Sequence, residues 1–109
     1  MSAVLKIDTT EREKVVVELR IGTKVKDQIS STQEKGSQVL LPMIVKILNR
    51  NNLKFSDITS VEVNPGPGSF TGTRVGVSVA NTLGYALNIP VNGKKGKIVV
   101  PVYEKSKFD

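Results

Sequence analysis

Hydrophobic and polar residues alternate through KVVVELRI, with Val15, Val17, Leu19 and Ile21 on one side and Glu18 and Arg20 on the other. A period of two predicts a half-buried β-strand. AVLKID (Ala3–Asp8) predicts a shorter strand before it, ending in a carboxylate. After a turn at Gly22-Thr23, KVKDQIS predicts a weaker strand whose Lys24, Lys26 and Asp27 suit an exposed edge, where charge discourages pairing with other chains. The polar run SSTQEKG (Ser30–Gly36) reads as a loop.

The period then changes. SQVLLPMIVKILNRNN (Ser37–Asn52) predicts a helix with Ser37 as N-cap and a bend or irregular first turn at Pro42. Leu40, Met43, Ile44 and Ile47 form one apolar face of it, and Leu41, Val45 and Leu48 a second. A helix on the surface of a monomer needs only one such stripe. SDI (Ser56–Ile58) reads as a turn and TSVEVN (Thr59–Asn64) as a strand leading into a Gly/Pro loop. A long helix follows from about Phe70 to Leu87, ending at Asn88 with Pro90 beyond it. PVNG offers a short fifth strand, and Pro101 confines KIVVPVYEKSKFD to an edge or an arm.

The order β-β-β-α-β-α-β predicts an α/β fold with a mixed five-stranded sheet, as in the ribonuclease H-like half-domain from which actin-like (ASKHA) ATPases are built. The expected division is a half-domain over residues 1–93 and a basic C-terminal arm over 94–109.

The second helix carries an unusual stripe. Gly72, Gly76, Ala80 and Gly84 recur every four residues. A glycine inside a helix costs roughly 1 kcal/mol relative to alanine, so Gly76 and Gly84 together cost about 2. A solvated face would gain nothing from that. Small residues at this spacing let another backbone approach closely. The stripe fits either the protein's own sheet and first helix or an interface with another chain, and the interface is the expectation favoured here. Val75, Val79, Leu83 and Ala86 read as the core face, and Arg74, Ser78, Asn81 and Tyr85 as the polar remainder.

The loop NPGPGSFTG invites a phosphate reading. A P-loop needs Gly-Lys-Ser/Thr five residues after its first glycine, but Thr71 and Thr73 stand five after Gly66 and Gly68 and the lysine is missing. A G-x-G-x-x-G fingerprint fails by one place, because the third glycine is Gly72. What remains is the generic anion affinity of a strand-to-helix turn, with Asp8, Thr9, Thr10, Gly68 and Ser69 as weak nucleotide candidates. A two-metal nuclease would need clustered carboxylates. Asp8 is suitably placed, but the first helix has no acidic residue and the fourth strand ends in Asn64. The turn after the first strand, IDTTERE, lacks the glycine of actin-like ATPases, so self-contained ATP hydrolysis is not expected. Asp8 reads first as a loop brace.

Composition adds exclusions. The chain has 109 residues with neither Cys nor His, which removes disulfides, thiolate metal sites and histidine-dependent hydrolysis. No apolar run approaches a bilayer span and the N-terminus lacks signal-peptide character, so a cytoplasmic protein is expected. The formal charge of +6 is scattered, dense only in KKGK and EKSK. No aromatic residue interleaves with those clusters, so the sequence displays no base-stacking platform. RNA binding through the lysine tail is kept as a third reading, after scaffolding and nucleotide or anion binding.

IDT (Ile7–Thr9), LLP (Leu40–Pro42) and above all GPGSFTGTRVG (Gly66–Gly76) resemble the TsaB (YeaZ) family over about residues 3–93. The resemblance implies a non-catalytic, actin-like dimerisation subunit, without a cofactor, in the synthesis of N6-threonylcarbamoyladenosine in tRNA. Its implied partners are a TsaD-like catalytic subunit or a second copy, met through the two long helices. The ATPase TsaE joins that complex, and tRNA is reached through it. Carried onto this sequence, the interface is expected at Leu41, Val45 and Leu48 of the first helix and at Gly72, Gly76, Val79, Ala80, Leu83 and Gly84 of the second. Arg74 and Ser69–Thr71 are expected to brace the turn. Family members of ordinary length carry a second α/β domain after the segment matching Pro90–Gly93, so a reduced form is expected here.

Overall fold

A computed structural model describes residues 2–32, 37–68 and 70–102. Three strands, β1 (Ala3–Asp8), β2 (Lys14–Ile21) and β3 (Lys24–Thr32), form an antiparallel meander. Helix α1 (Ser37–Arg50) leads through a 3-10 turn at Phe55–Asp57 to β4 (Ser60–Val63), which pairs parallel to β1. Helix α2 (Phe70–Leu87) follows, and the sheet order is β3-β2-β1-β4.

One face of the sheet supplies the core. Leu5, Ile7, Val15, Val17, Leu19, Val61 and Val63 are buried and cluster with Leu40, Ile44 and Ile47 of α1 and Val77, Ala80 and Leu83 of α2. The alternation read from β2 therefore points its apolar set at α1, while β1 and β4 lie under α2. The other face carries charge: Arg20 reaches Glu18 at 2.7 Å and Glu62 at 3.8 Å across three strands.

Both helices stop on an asparagine. Asn52 and Asn88 adopt left-handed φ values of 59° and 56°. The following N–H groups, of Leu53 and Ile89, return to the carbonyls of Leu48 and Gly84 at 2.9 and 3.1 Å. This left-handed cap satisfies carbonyls the helix end leaves open. Helix α1 continues through Pro42, whose exposed ring faces away from the sheet side. The edge strand β3 is tied to the end of α1, where Arg50 and Asn51 both donate to the Asp27 carboxylate. Those bonds, from Arg50 first, hold the Asp27 carboxyl far below the usual carboxylate range.

The expected fifth strand contracts to a single residue. Val91 forms one parallel bridge with Val61, because the chain enters at Pro90 and leaves through a tight turn. Asn92 and Gly93, at φ 51° and 78°, make a type I′ turn closed by the Lys94 N–H on the Val91 carbonyl at 3.1 Å. The Asn92 side chain then takes the place of the missing strand. Its amide oxygen accepts from the Val63 N–H at 2.8 Å, and its amide nitrogen donates to the Val63 carbonyl at 3.0 Å. Replacing Asn92 by Ala strands both groups and keeps a strained positive φ. The expected loss is about 2–3 kcal/mol in urea unfolding, since each orphaned group costs roughly 1–3 kcal/mol.

Candidate functional site

The Asp8–Thr10 turn, the loop over residues 64–68 and the first turn of α2 meet at the parallel ends of β1 and β4. The Asp8 carboxylate accepts from the Thr10 N–H at 3.0 Å and its hydroxyl at 2.7 Å. Its other oxygen accepts from the Asn64 amide at 3.2 Å, and the Asn64 oxygen in turn accepts from the Gly66 N–H at 3.1 Å. An Asp at 64 could not donate to Asp8, which accounts for the amide there. Burial alone would raise the Asp8 pKa, but the Thr10 and Asn64 hydrogen bonds and the charge of Lys6 outweigh it, so the carboxyl lies below its ordinary value. Asp8 is thus engaged on both oxygens as a brace between the two loops.

Of the weak nucleotide candidates, Asp8, Thr9, Thr10 and Gly68 are brought together, and Ser69 lies outside the described residues. The loops leave little room between them. A side chain at Gly68 would meet the Thr10 backbone and Cβ at 2.6 Å. Thr9 is fully buried, and its hydroxyl donates to the Gly72 carbonyl. Among the described residues no group of three or more His, Cys, Asp and Glu could hold a metal ion.

The small-residue stripe turns inward. A Cβ at Gly76 would collide with the Thr9 hydroxyl, and one at Gly84 with the Val91 side chain. Gly72, Gly76, Ala80, Leu83 and Gly84 are all buried within their own chain. Leu48, on the inner side of α1, is likewise buried. These six positions are therefore corrected from partner contacts to internal packing. Thr9 and Val91 approach α2 too closely for side chains at Gly76 and Gly84. The expected core row is rotated as well: Ala86 is exposed, Val75 and Val79 are half-buried, and Val77 sits in the core instead. Of the expected partner contacts, Leu41 and Val45 are exposed at 47% and 41%. With Pro42 they make the apolar middle of a shallow groove along α1, rimmed by Lys46, Asn49 and Arg50.

The described part of the C-terminal arm, residues 94–102, folds back along α2, and the EKSK stretch lies outside the described residues. Asn81 holds Val99 by both amide groups, at 2.9 Å each, and the Val102 N–H reaches the Pro65 carbonyl at 2.6 Å. The arm so crosses beside Gly66, where φ is 105° and a side chain would strike the Val102 carbonyl. Sequence reasoning gave Asn81 only a place on a polar face. Its role needs the arm's path, which no local pattern encodes.

A three-stranded meander, a parallel fourth strand and two helices on one face define an actin-like half-domain. The family model of TsaD, "tRNA N6-adenosine threonylcarbamoyltransferase", matches residues 25–93. The tRNA threonylcarbamoyladenosine biosynthesis protein TsaB of Bacillus subtilis is 33% identical over 89 residues, 82% of this chain and 39% of that protein. The Escherichia coli protein of the same name is 32% identical over 90 residues, 83% of this chain and 38% of that protein. YeaZ from Pseudomonas aeruginosa superposes with a TM-score of 0.72 at 31% identity, covering 84% of this chain and 42% of that one. The chain belongs to the TsaB (YeaZ) family and matches the TsaD family model over residues 25–93. It spans about two fifths of the length of these relatives.

Two substitutions test the internal packing. Gly76→Ala forces Thr9 aside and is expected to destabilise by about 1–3 kcal/mol, the usual cost of overpacking. Thr73→Val acts oppositely: the Thr73 hydroxyl is fully buried without a hydrogen-bond partner. Removing that unmet group while keeping the shape is expected to stabilise by about 1 kcal/mol. Urea midpoints of the two variants measure both.

Proposed function

We propose that this chain is a non-catalytic scaffold subunit in the biosynthesis of tRNA threonylcarbamoyladenosine, which docks a TsaD-like transferase or a second copy of itself through the outer face of α1. The observation that carries the reading is the doubled apolar character of that helix. Its inner face, Leu40, Ile44, Ile47 and Leu48, already fills the core, yet Leu41, Pro42 and Val45 stand exposed on the outside. An apolar centre with a polar rim of Lys46, Asn49 and Arg50 is the anatomy of a protein interface. The names of the relatives support the pathway, and the half-buried Val79 is the one residue of α2 retained from the expected interface. The transferase would supply the chemistry, and tRNA would be reached through the assembly.

The test is co-purification of this chain with a TsaD-like transferase, using wild type and the double variant Leu41→Asp/Val45→Asp. Both side chains are exposed, so the variant is expected to fold, with an unchanged circular dichroism spectrum. Its affinity for the partner is expected to drop at least about tenfold, as when interface anchors are lost. Capture equal to wild type overturns the reading. Size-exclusion chromatography of the chain alone tells self-association from docking on the transferase.

A further inference from the structure

We propose that the recess between the C-terminal end of α2 and the turns at Gly93 and Gly96 is a contact site for single-stranded nucleic acid. Tyr85 would serve as its stacking platform, and Lys94 and Lys97 as its phosphate partners. The inference concerns a different surface from the α1 groove and does not depend on the docking reading.

The fold assembles what the sequence keeps apart. Tyr85 is nine residues before Lys94 in the chain, yet Tyr85, Asn88, Lys94, Lys97 and Ile98 line one cavity of about 390 Å³. Two reversals bring the lysines there. The Asn92–Gly93 turn sends Lys94 back against Val91, and Gly96, at φ 77°, redirects the chain so that Lys97 and Ile98 close the far wall.

Tyr85 is 90% exposed. A tyrosine in a folded chain normally buries most of its apolar ring, so an uncovered one beside lysines marks a surface for a flat aromatic partner. Along the chain, the charge in this stretch has one sign: Arg74, Lys94, Lys95 and Lys97 fall between residues 64 and 102, a span without a single Asp or Glu. Among the described residues no carboxylate lines the recess. The negative end of the α2 dipole lies nearby, but the Gly84 and Tyr85 carbonyls already accept from Ile89 and Asn88, at 3.1 and 3.4 Å. A base on the ring with its flanking phosphates on the two ammonium groups uses every one of these features. An acidic peptide would use the lysines and leave the ring idle.

Fluorescence anisotropy with a labelled single-stranded RNA of about a dozen mixed nucleotides tests this on the full chain, with a DNA of the same sequence and a polyglutamate peptide as further probes. Wild type is expected to bind either nucleic acid, with an affinity that falls as salt rises. Lys94→Ala/Lys97→Ala is expected to flatten the slope of log affinity against log salt by about 1.4, roughly 0.7 for each of two single-strand phosphates. Tyr85→Ala is expected to weaken binding about fivefold or more at an unchanged salt slope. Tyr85→Phe, which keeps the ring, is expected to bind like wild type. All three positions are exposed, and circular dichroism checks that each variant folds. A preference between RNA and DNA identifies which nucleic acid the site takes. The proposal is overturned if wild type binds neither, if polyglutamate binds as tightly, or if the alanine variants bind like wild type.

Discussion

The contact between Thr9 and the first turns of α2 sets the geometry of the molecule. Thr9 is the first residue after β1, and its buried hydroxyl donates to the Gly72 carbonyl while its side chain occupies the place a Cβ of Gly76 would take. A helix can lie that close to a strand end only where it presents bare backbone, and the glycines on that side cost helix propensity for this reason. The close approach brings Gly68 against Thr10 and draws Asp8 and Asn64 into one bonded unit. The loop that looks most like a ligand cradle is in this way filled by the protein's own threonines.

The same economy appears wherever the chain replaces secondary structure with an amide side chain. Asn92 continues the ladder beside Val63, Asn81 pairs with Val99, and Asn64 joins two loops. A carboxamide carries one acceptor and donors in the geometry of a peptide group, so it can stand where a backbone segment is too short. In a half-domain of this size, with a modest core, these substitutions satisfy polar groups without adding strands.

Much of this was legible beforehand, and the misses have physical causes. Val15, Val17 and Leu19 announced β2 by alternation, and the motif GPGSFTGTRVG carried the family resemblance. The glycine stripe was visible, but its destination was not. Spacing reports that something approaches closely, and it cannot say whether that thing is Thr9 of the same chain or a neighbour's helix. Val91 kept only one bridge to the sheet because the left-handed pair Asn92–Gly93 reverses the chain at once. Leu41 and Leu48 read as one face, yet Leu48 is 2% exposed and Leu41 47%. Which flank of that stripe is covered depends on where the sheet lies. Tyr85 beside Lys94 was invisible in sequence because two turns separate what the fold joins.

The amide of Asn92 has one more implication, for how sheets grow between molecules. On the outer side of β4, the Val61 N–H and carbonyl are taken by Pro90 and Asn92, and both Val63 groups are taken by the Asn92 side chain. That margin offers a newcomer nothing to zip onto. The opposite margin, β3, is open but studded with Lys24 and Lys26. Stacking of copies margin to margin is therefore closed chemically on one flank and discouraged electrostatically on the other, which leaves side-chain surfaces as the route to company.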